Sequence, residues 1–251
     1  MSNSKLVAYS KISPNRTCPR NSKIDTISIH CYVGQASIER MGDEFFPLYK
    51  SASCNYGVGS DGRIGMYVEE KDRSWCTSSQ SNDHRAVTIE VACDTVHPYK
   101  VNDKAFSSLI LLLADICERN DIKELKWKGD KSLIGQVDKQ NLTVHRWFAS
   151  KSCPGDYLYN KHSEIVDKVN GILGVKEQDK EKEKEQEEKE KVKGDDEMVD
   201  ITKVIVEGEV KEISRIFKEN TNFLNAREIG ECLGFNVSYD NGKKMPVFSK
   251  K

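Results

Sequence analysis

Between Val175 and Met198 the chain reads KEQDKEKEKEQEEKEKVKGDDE, with Val192 as its one apolar residue. Such a run has neither a helical stripe nor a strand alternation to bury, so it cannot enter a core. Its Lys and Glu residues fall at i,i+4 spacings, which suits a solvated, partly helical spacer. No single core can therefore span the chain. The sequence predicts a domain over residues 1–174, a charged linker over 175–197 and a small C-terminal domain over 198–251.

The 251 residues are enough for one medium and one small domain. A net charge of −1 gives no overall basic field, so nucleic acid is not an expected partner. No apolar run approaches the roughly 20 residues of a membrane-spanning helix. The opening MSNSKLVAYSKISPNR lacks the apolar stretch of a secretory signal, so a cytoplasmic origin is expected. A target outside the cell then requires another exit route. Eight cysteines (Cys18, Cys31, Cys54, Cys76, Cys93, Cys117, Cys153 and Cys232) are irregularly spaced and contain no CxxC pair. Reduced, mostly buried thiols are expected, not a disulfide framework or a zinc ribbon.

The first domain alternates strand and helix signals. KIDTISIHCYVG alternates around β-branched residues and predicts a strand ending near His30. QASIERMGDEFFPLYKS predicts a helix broken at Pro47, and SCNYGVGSDGRIGMYVE two strands joined at Ser-Asp-Gly. RAVTIEVACD is a further strand that carries Glu90 among apolar neighbours. NDKAFSSLILLLADICERNDI is a capped helix, NLTVHRWF a strand or strand end, and YLYNKHSEIVDKVNGIL a closing helix. Without strict βαβ repetition, this order predicts an α/β fold with a mixed central sheet flanked by helices. Beyond the linker the pattern predicts a short alternating strand, a turn, the helix NAREIGECLGF and a last strand, a small α+β unit.

The stretch TVHRWFASKSCPGD sets His145, Lys151 and Cys153 close together before a Pro-Gly turn. A hydrolytic zinc site needs three His, Cys or carboxylate ligands and one open position. His30 ends an early strand, His145 a late one, and Cys153 follows in a loop, so the three can meet at one sheet face. A lone histidine is more commonly a core or surface residue, and His84, His97 and His162 are assigned that role.

Residues 1 to about 170 resemble the type 2 N-acetylmuramoyl-L-alanine amidases, zinc enzymes related to peptidoglycan recognition proteins. The resemblance rests on TISIHCY, NYGVGSDGRIGMYV, RSWCTSSQSNDHRAVTIEV and LTVHRWFASKSCPGD, in the family's order. It implies His30, His145 and Cys153 as Zn2+ ligands. It implies Glu90 as the group that moves the proton and Lys151 as an oxyanion-stabilising ammonium. Against these stand a solvent-facing carboxylate and a solvated loop lysine. Two positions depart from the family. Cys54 occupies the place of a frequent tyrosine, with Tyr56 two residues on and expected on the same strand face. Cys76 replaces a frequent histidine.

The expected activity is hydrolysis of the bond between N-acetylmuramic acid and the L-alanine of the stem peptide. Amidase domain, charged linker and small module together resemble a phage endolysin against a Gram-positive wall, made in the host cytoplasm and released through a holin. A non-catalytic peptidoglycan-binding module and a bacterial autolysin are the alternatives. The C-terminal segment resembles, more weakly, the small domain at the N-terminus of copper amine oxidase-type proteins, which implies wall attachment or self-association. Lys193-Gly194-Asp195 can be encoded with the purine-rich AAGGAG of a ribosome-binding site. Internal initiation at Met198 would then supply a free module for a homo-oligomer or mixed oligomer.

Overall fold

The computed structural model describes residues 2–175, 199–206, 209–218, 221–240 and 245–250. The expected linker, with its helical character, and Met198 lie outside the described residues. The chain divides into two compact units, Met1–Lys176 and Glu177–Lys251. Among the described residues no helix is long and apolar enough to cross a membrane.

The first unit is built on a six-stranded sheet. Its strands are β1 (Val7–Ser10), β3 (Thr26–Val33), β4 (Tyr56–Val58), β5 (Ile64–Met66), β7 (Ala86–Cys93) and β8 (Leu142–Thr143). The order is β1-β5-β4-β7-β3-β8. Only the β4–β5 hairpin is antiparallel; every other pair is parallel, so the sheet is mixed. A separate two-stranded ribbon pairs β2 (Arg16–Thr17) with β6 (Arg73–Ser74). The strand predicted to end near His30 runs on to Val33, because Cys31–Val33 continue to pair with Val91–Cys93.

Helices cover both faces, which is why β3 and β7 read as nearly unbroken apolar runs. One face carries Ile27, Ile29, Cys31, Val87, Ile89, Val91 and Cys93. These pack beneath α3 (Asp103–Arg119) and α4 (Gly155–Ile172). α3 begins where the Asn102 side chain accepts from the Ala105 amide at 3.0 Å, and it buries Leu109, Leu112, Leu113 and Ile116. Truncating any of these leucines to alanine is expected to cost about 2–5 kcal/mol. The opposite face is covered by α1 (Ile38–Phe45), with Met41 and Phe45 against Tyr32, Cys54, Tyr67 and Ala92. A short α2 (Gln80–Arg85) leads into β7.

The second unit departs from the sequence expectation. Three strands precede its helix: β9 (Val199–Val206), β10 (Glu209–Lys218) and β11 (Thr221–Leu224), in antiparallel order β11-β10-β9. After α5 (Ala226–Cys232), β12 (Phe235–Asp240) and β13 (Met245–Lys250) form a second antiparallel pair. Charged residues inside β9 and β10 dilute the alternation that marks a strand, so only one was legible where three exist.

Candidate metal centre

Along β3 and β7 successive side chains alternate between faces. Ser28, His30 and Tyr32 therefore stand opposite the large core, as do Thr88, Glu90 and Ala92. The β3–β7 register pairs His30 with Glu90. Glu90 is the only position of β7 that is not fully buried. Its Oε1 lies 3.9 Å from Nδ1 of the buried His30, and Oε2 is buried without a hydrogen-bond partner.

Strand β8 delivers the second imidazole. Ser28 pairs with Thr143, the last residue of β8, and two residues further on the chain brings His145 beside His30. The two ring centroids are 5.1 Å apart. The chain then makes a 3-10 turn over His145–Trp147. It folds back so that the Arg146 amide donates to the Cys153 carbonyl at 3.1 Å. This return sets Cys153 Sγ 3.3 Å from His30 Nδ1. Gly155, at φ +78°, follows a cis Cys153–Pro154 peptide. A Cβ on Gly155 would stand 2.8 Å from Cβ of Tyr99, so the turn into α4 requires glycine.

Donor atoms of His30, His145 and Cys153 all lie within 4.8 Å of one another. Two imidazole nitrogens and a sulfur suit zinc, whose bonds of about 2.0–2.3 Å leave tetrahedral ligand atoms between three and four ångströms apart. The 3.3 Å His30–Cys153 separation meets that requirement. Three protein ligands leave one position open. The residues present therefore fit a catalytic zinc. His30, Cys76 and Glu90 form a second such group, but it shares His30 and belongs to the same centre.

Electrostatics agree with that reading. Burial, and to a lesser degree His145, pull the pKa of His30 down to about 3. Burial and Lys151 also lower that of His145. Both rings are thus neutral donors. Burial pushes Glu90 up to about 8. Cys31 draws the Cys153 thiol down, but burial and Glu90 outweigh it and leave the thiol above its ordinary value. A cation at the centre would reverse that balance, since it favours both thiolate and carboxylate.

Lys151 is exposed at the rim, close enough for its charge to act on His145. Cys76, half-buried, has its Sγ 4.0 Å from Glu90 Oε1. The other histidines hold structural positions. His162 is buried against Trp127, His97 pairs with Asp156, and His84 accepts from the Asn21 amide. Cys18, Cys31, Cys54, Cys76, Cys93, Cys117 and Cys153 are free thiols, and Cys31, Cys54, Cys93 and Cys117 are buried.

Tyr56 departs from its expected place. It sits fully buried in the α3/α4 core, on the face opposite Glu90. Its hydroxyl donates to Glu70 Oε1 at 2.7 Å and accepts from the Ser4 amide at 3.0 Å. Glu70 is itself buried and held by Arg119 Nη2 at 2.6 Å and Asn120 Nδ2 at 2.9 Å. Cys54 instead packs on the site side of the sheet with Tyr32. Tyr56→Phe is accordingly expected to lose about 1.5–3 kcal/mol of stability, the range for a hydrogen bond to a charged group. Turnover of the folded protein should be unchanged. Denaturant titration beside a turnover assay checks this, and a rate loss without a stability loss would overturn the purely structural role.

Sequence reading missed Ser28 and Ser78, whose hydroxyls lie 3.1 Å from Nε2 of His30 and of His145 respectively. The S-x-H spacing in β3 signals the first, because i and i+2 share a face. No local signal marks the second.

The family model described as N-acetylmuramoyl-L-alanine amidase matches residues 20–156, more than half of the chain. Comparison with curated proteins finds no match. Among solved structures, a mutant endolysin from Bacillus subtilis is 16% identical, over 65% of this chain and 99% of that one, with a TM-score of 0.47. The N-acetylmuramoyl-L-alanine amidase LysC from Clostridium intestinale is 16% identical, over 64% and 97%, with a TM-score of 0.42. A Drosophila peptidoglycan recognition protein, SA, is 17% identical, over 59% and 81%, with a TM-score of 0.43.

Proposed function

The chain belongs to the N-acetylmuramoyl-L-alanine amidase family, and from that premise we propose that it is a zinc-dependent endolysin of a Gram-positive wall. The observation that carries the reading is the convergence of His30, His145 and Cys153 beside a buried carboxylate. When bound there, zinc supplies Lewis acidity to the scissile carbonyl and to the attacking water. His30, His145 and Cys153 would hold it. Glu90 takes the proton from the attacking water and passes it to the departing amide nitrogen. In the metal-free site burial keeps Glu90 protonated near neutral pH, and a bound cation would lower its pKa and free it to accept that proton. Lys151 brings a positive charge to the rim, where oxygen charge develops on the carbonyl.

Digestion of purified Gram-positive walls tests the reading. New amino groups belonging to L-alanine should appear without new reducing sugar. Reducing ends, or amino groups from other residues, would assign the cut to a different bond.

The second unit serves as a wall-binding or self-association module, and a product starting at Met198 joins the full chain in a mixed oligomer. Release to the wall proceeds through a membrane pore of the holin kind. Because residues 176–197 offer no apolar face, a fragment ending at Val175 should fold, bind zinc and keep some activity. Sedimentation with intact walls checks the module's part. Equal affinity of the fragment and the full chain would leave the module no wall-binding role.

A further inference from the structure

Two serines outside the proposed chemistry meet the imidazoles from behind. Ser28 is fully buried, and its Oγ lies 3.1 Å from His30 Nε2 and 3.2 Å from the Thr143 carbonyl oxygen. A hydroxyl carries one hydrogen, and a carbonyl only accepts. Ser28 therefore donates to Thr143 and accepts from His30. That arrangement puts the ring hydrogen on Nε2 and leaves the Nδ1 lone pair facing Cys153 Sγ, 3.3 Å away. Ser78 repeats the contact on the second ring, with its Oγ 3.1 Å from His145 Nε2.

The backbone explains the coincidence. Ser28 and His30 share a strand face, and Ser28 is the register partner of Thr143. β8 ends at Thr143, two residues before His145, so the same pairing carries the chain to the site. One strand pairing thus delivers the second imidazole and fixes the hydrogen of the first.

We propose that Ser28 is a positioning residue that holds His30 as its Nε2–H tautomer, so that this ring turns Nδ1 to the metal, and that Ser78 positions the ring of His145. The inference rests on the zinc reading above, and it adds which nitrogen binds and what decides it. Partners of this kind orient ligands and raise their basicity, and losing one typically costs 10- to 100-fold in metal affinity or activity. Ser28 is the stronger of the two, because its bond is sealed from water, whereas Ser78 is exposed.

The test uses the full-length chain. Long-range proton–nitrogen NMR spectra of the metal-free protein at neutral pH report each ring's tautomer. Competition with a chelator of known affinity gives the zinc dissociation constant. Wild type should show Nε2–H at His30. Ser28→Ala should lose that preference at His30 and bind zinc about 10- to 100-fold more weakly. Ser28→Thr, which keeps a hydroxyl, should restore both, a rescue that a packing defect alone would not give. Ser78→Ala should loosen the ring of His145 with a smaller fall in affinity. An Nδ1–H ring at His30 in the wild type overturns the inference. So does a Ser28→Ala protein with wild-type tautomer and affinity. If Ser28→Ala does not fold, unchanged spectra and affinity in Ser78→Ala overturn the paired role. A wild type that binds no zinc refutes the metal reading instead, and the tautomer spectra, recorded without metal, still judge the serines.

Discussion

Stripping the full-length chain of metal is expected to abolish wall hydrolysis, and zinc added back is expected to restore it. The expectation follows from what the site is without a cation. His30 and His145 are neutral, the Cys153 thiol is held above its ordinary pKa, and Glu90, pushed up to about 8, is largely protonated at pH 7. Of the five residues assigned to the site, His30, Glu90, His145, Lys151 and Cys153, only the rim lysine Lys151 offers a positive charge. A divalent cation draws the proton from Cys153 and lowers the pKa of Glu90, so metal uptake should release protons. The same binding should raise the melting temperature, since a ligand present at 1,000 times its Kd stabilises by about 4.1 kcal/mol. Metal analysis, proton release and lysis are measured on one preparation. Full hydrolysis by a protein shown to be metal-free would sink the mechanism.

What could be read from the sequence depended on how far each partner lies along the chain. His30, His145, Cys153 and Glu90 sit in strand and loop signatures whose local form is visible, and the β3–β7 and β3–β8 registers bring them together. The mixed sheet was equally legible, because two covered faces leave nearly continuous apolar strands. Tyr56 was misplaced because its partners come from elsewhere. Glu70 is 14 residues away, and Arg119 and Asn120 stand at the end of α3. A two-residue offset preserves a face only in a regular strand, yet β4 begins at Tyr56 and Cys54 lies outside it. Ser78 escaped notice for a similar reason, since its contact with His145 spans 67 residues.

Glu90→Gln should lower turnover by about two to four orders of magnitude, the usual contribution of general acid–base catalysis, with zinc and wall binding retained. Glutamine keeps the shape and the hydrogen-bonding ends of the side chain but cannot carry a proton between water and the leaving nitrogen. The substitution also carries a signature independent of activity. In the metal-free protein the folded-state pKa of Glu90 stands at about 8, above its ordinary value of 4.5. The native state then binds more protons than the unfolded one across that interval. Stability from this group is present below pH 4.5 and is lost as pH rises through about 8. Metal-free wild type should therefore lose melting temperature between pH 5 and pH 8 more steeply than metal-free Glu90→Gln. Parallel slopes would place the buried proton on another group. Near-normal turnover in the variant would remove Glu90 from proton transfer, and Tyr56, committed to Glu70 on the far face of the sheet, could not take its place.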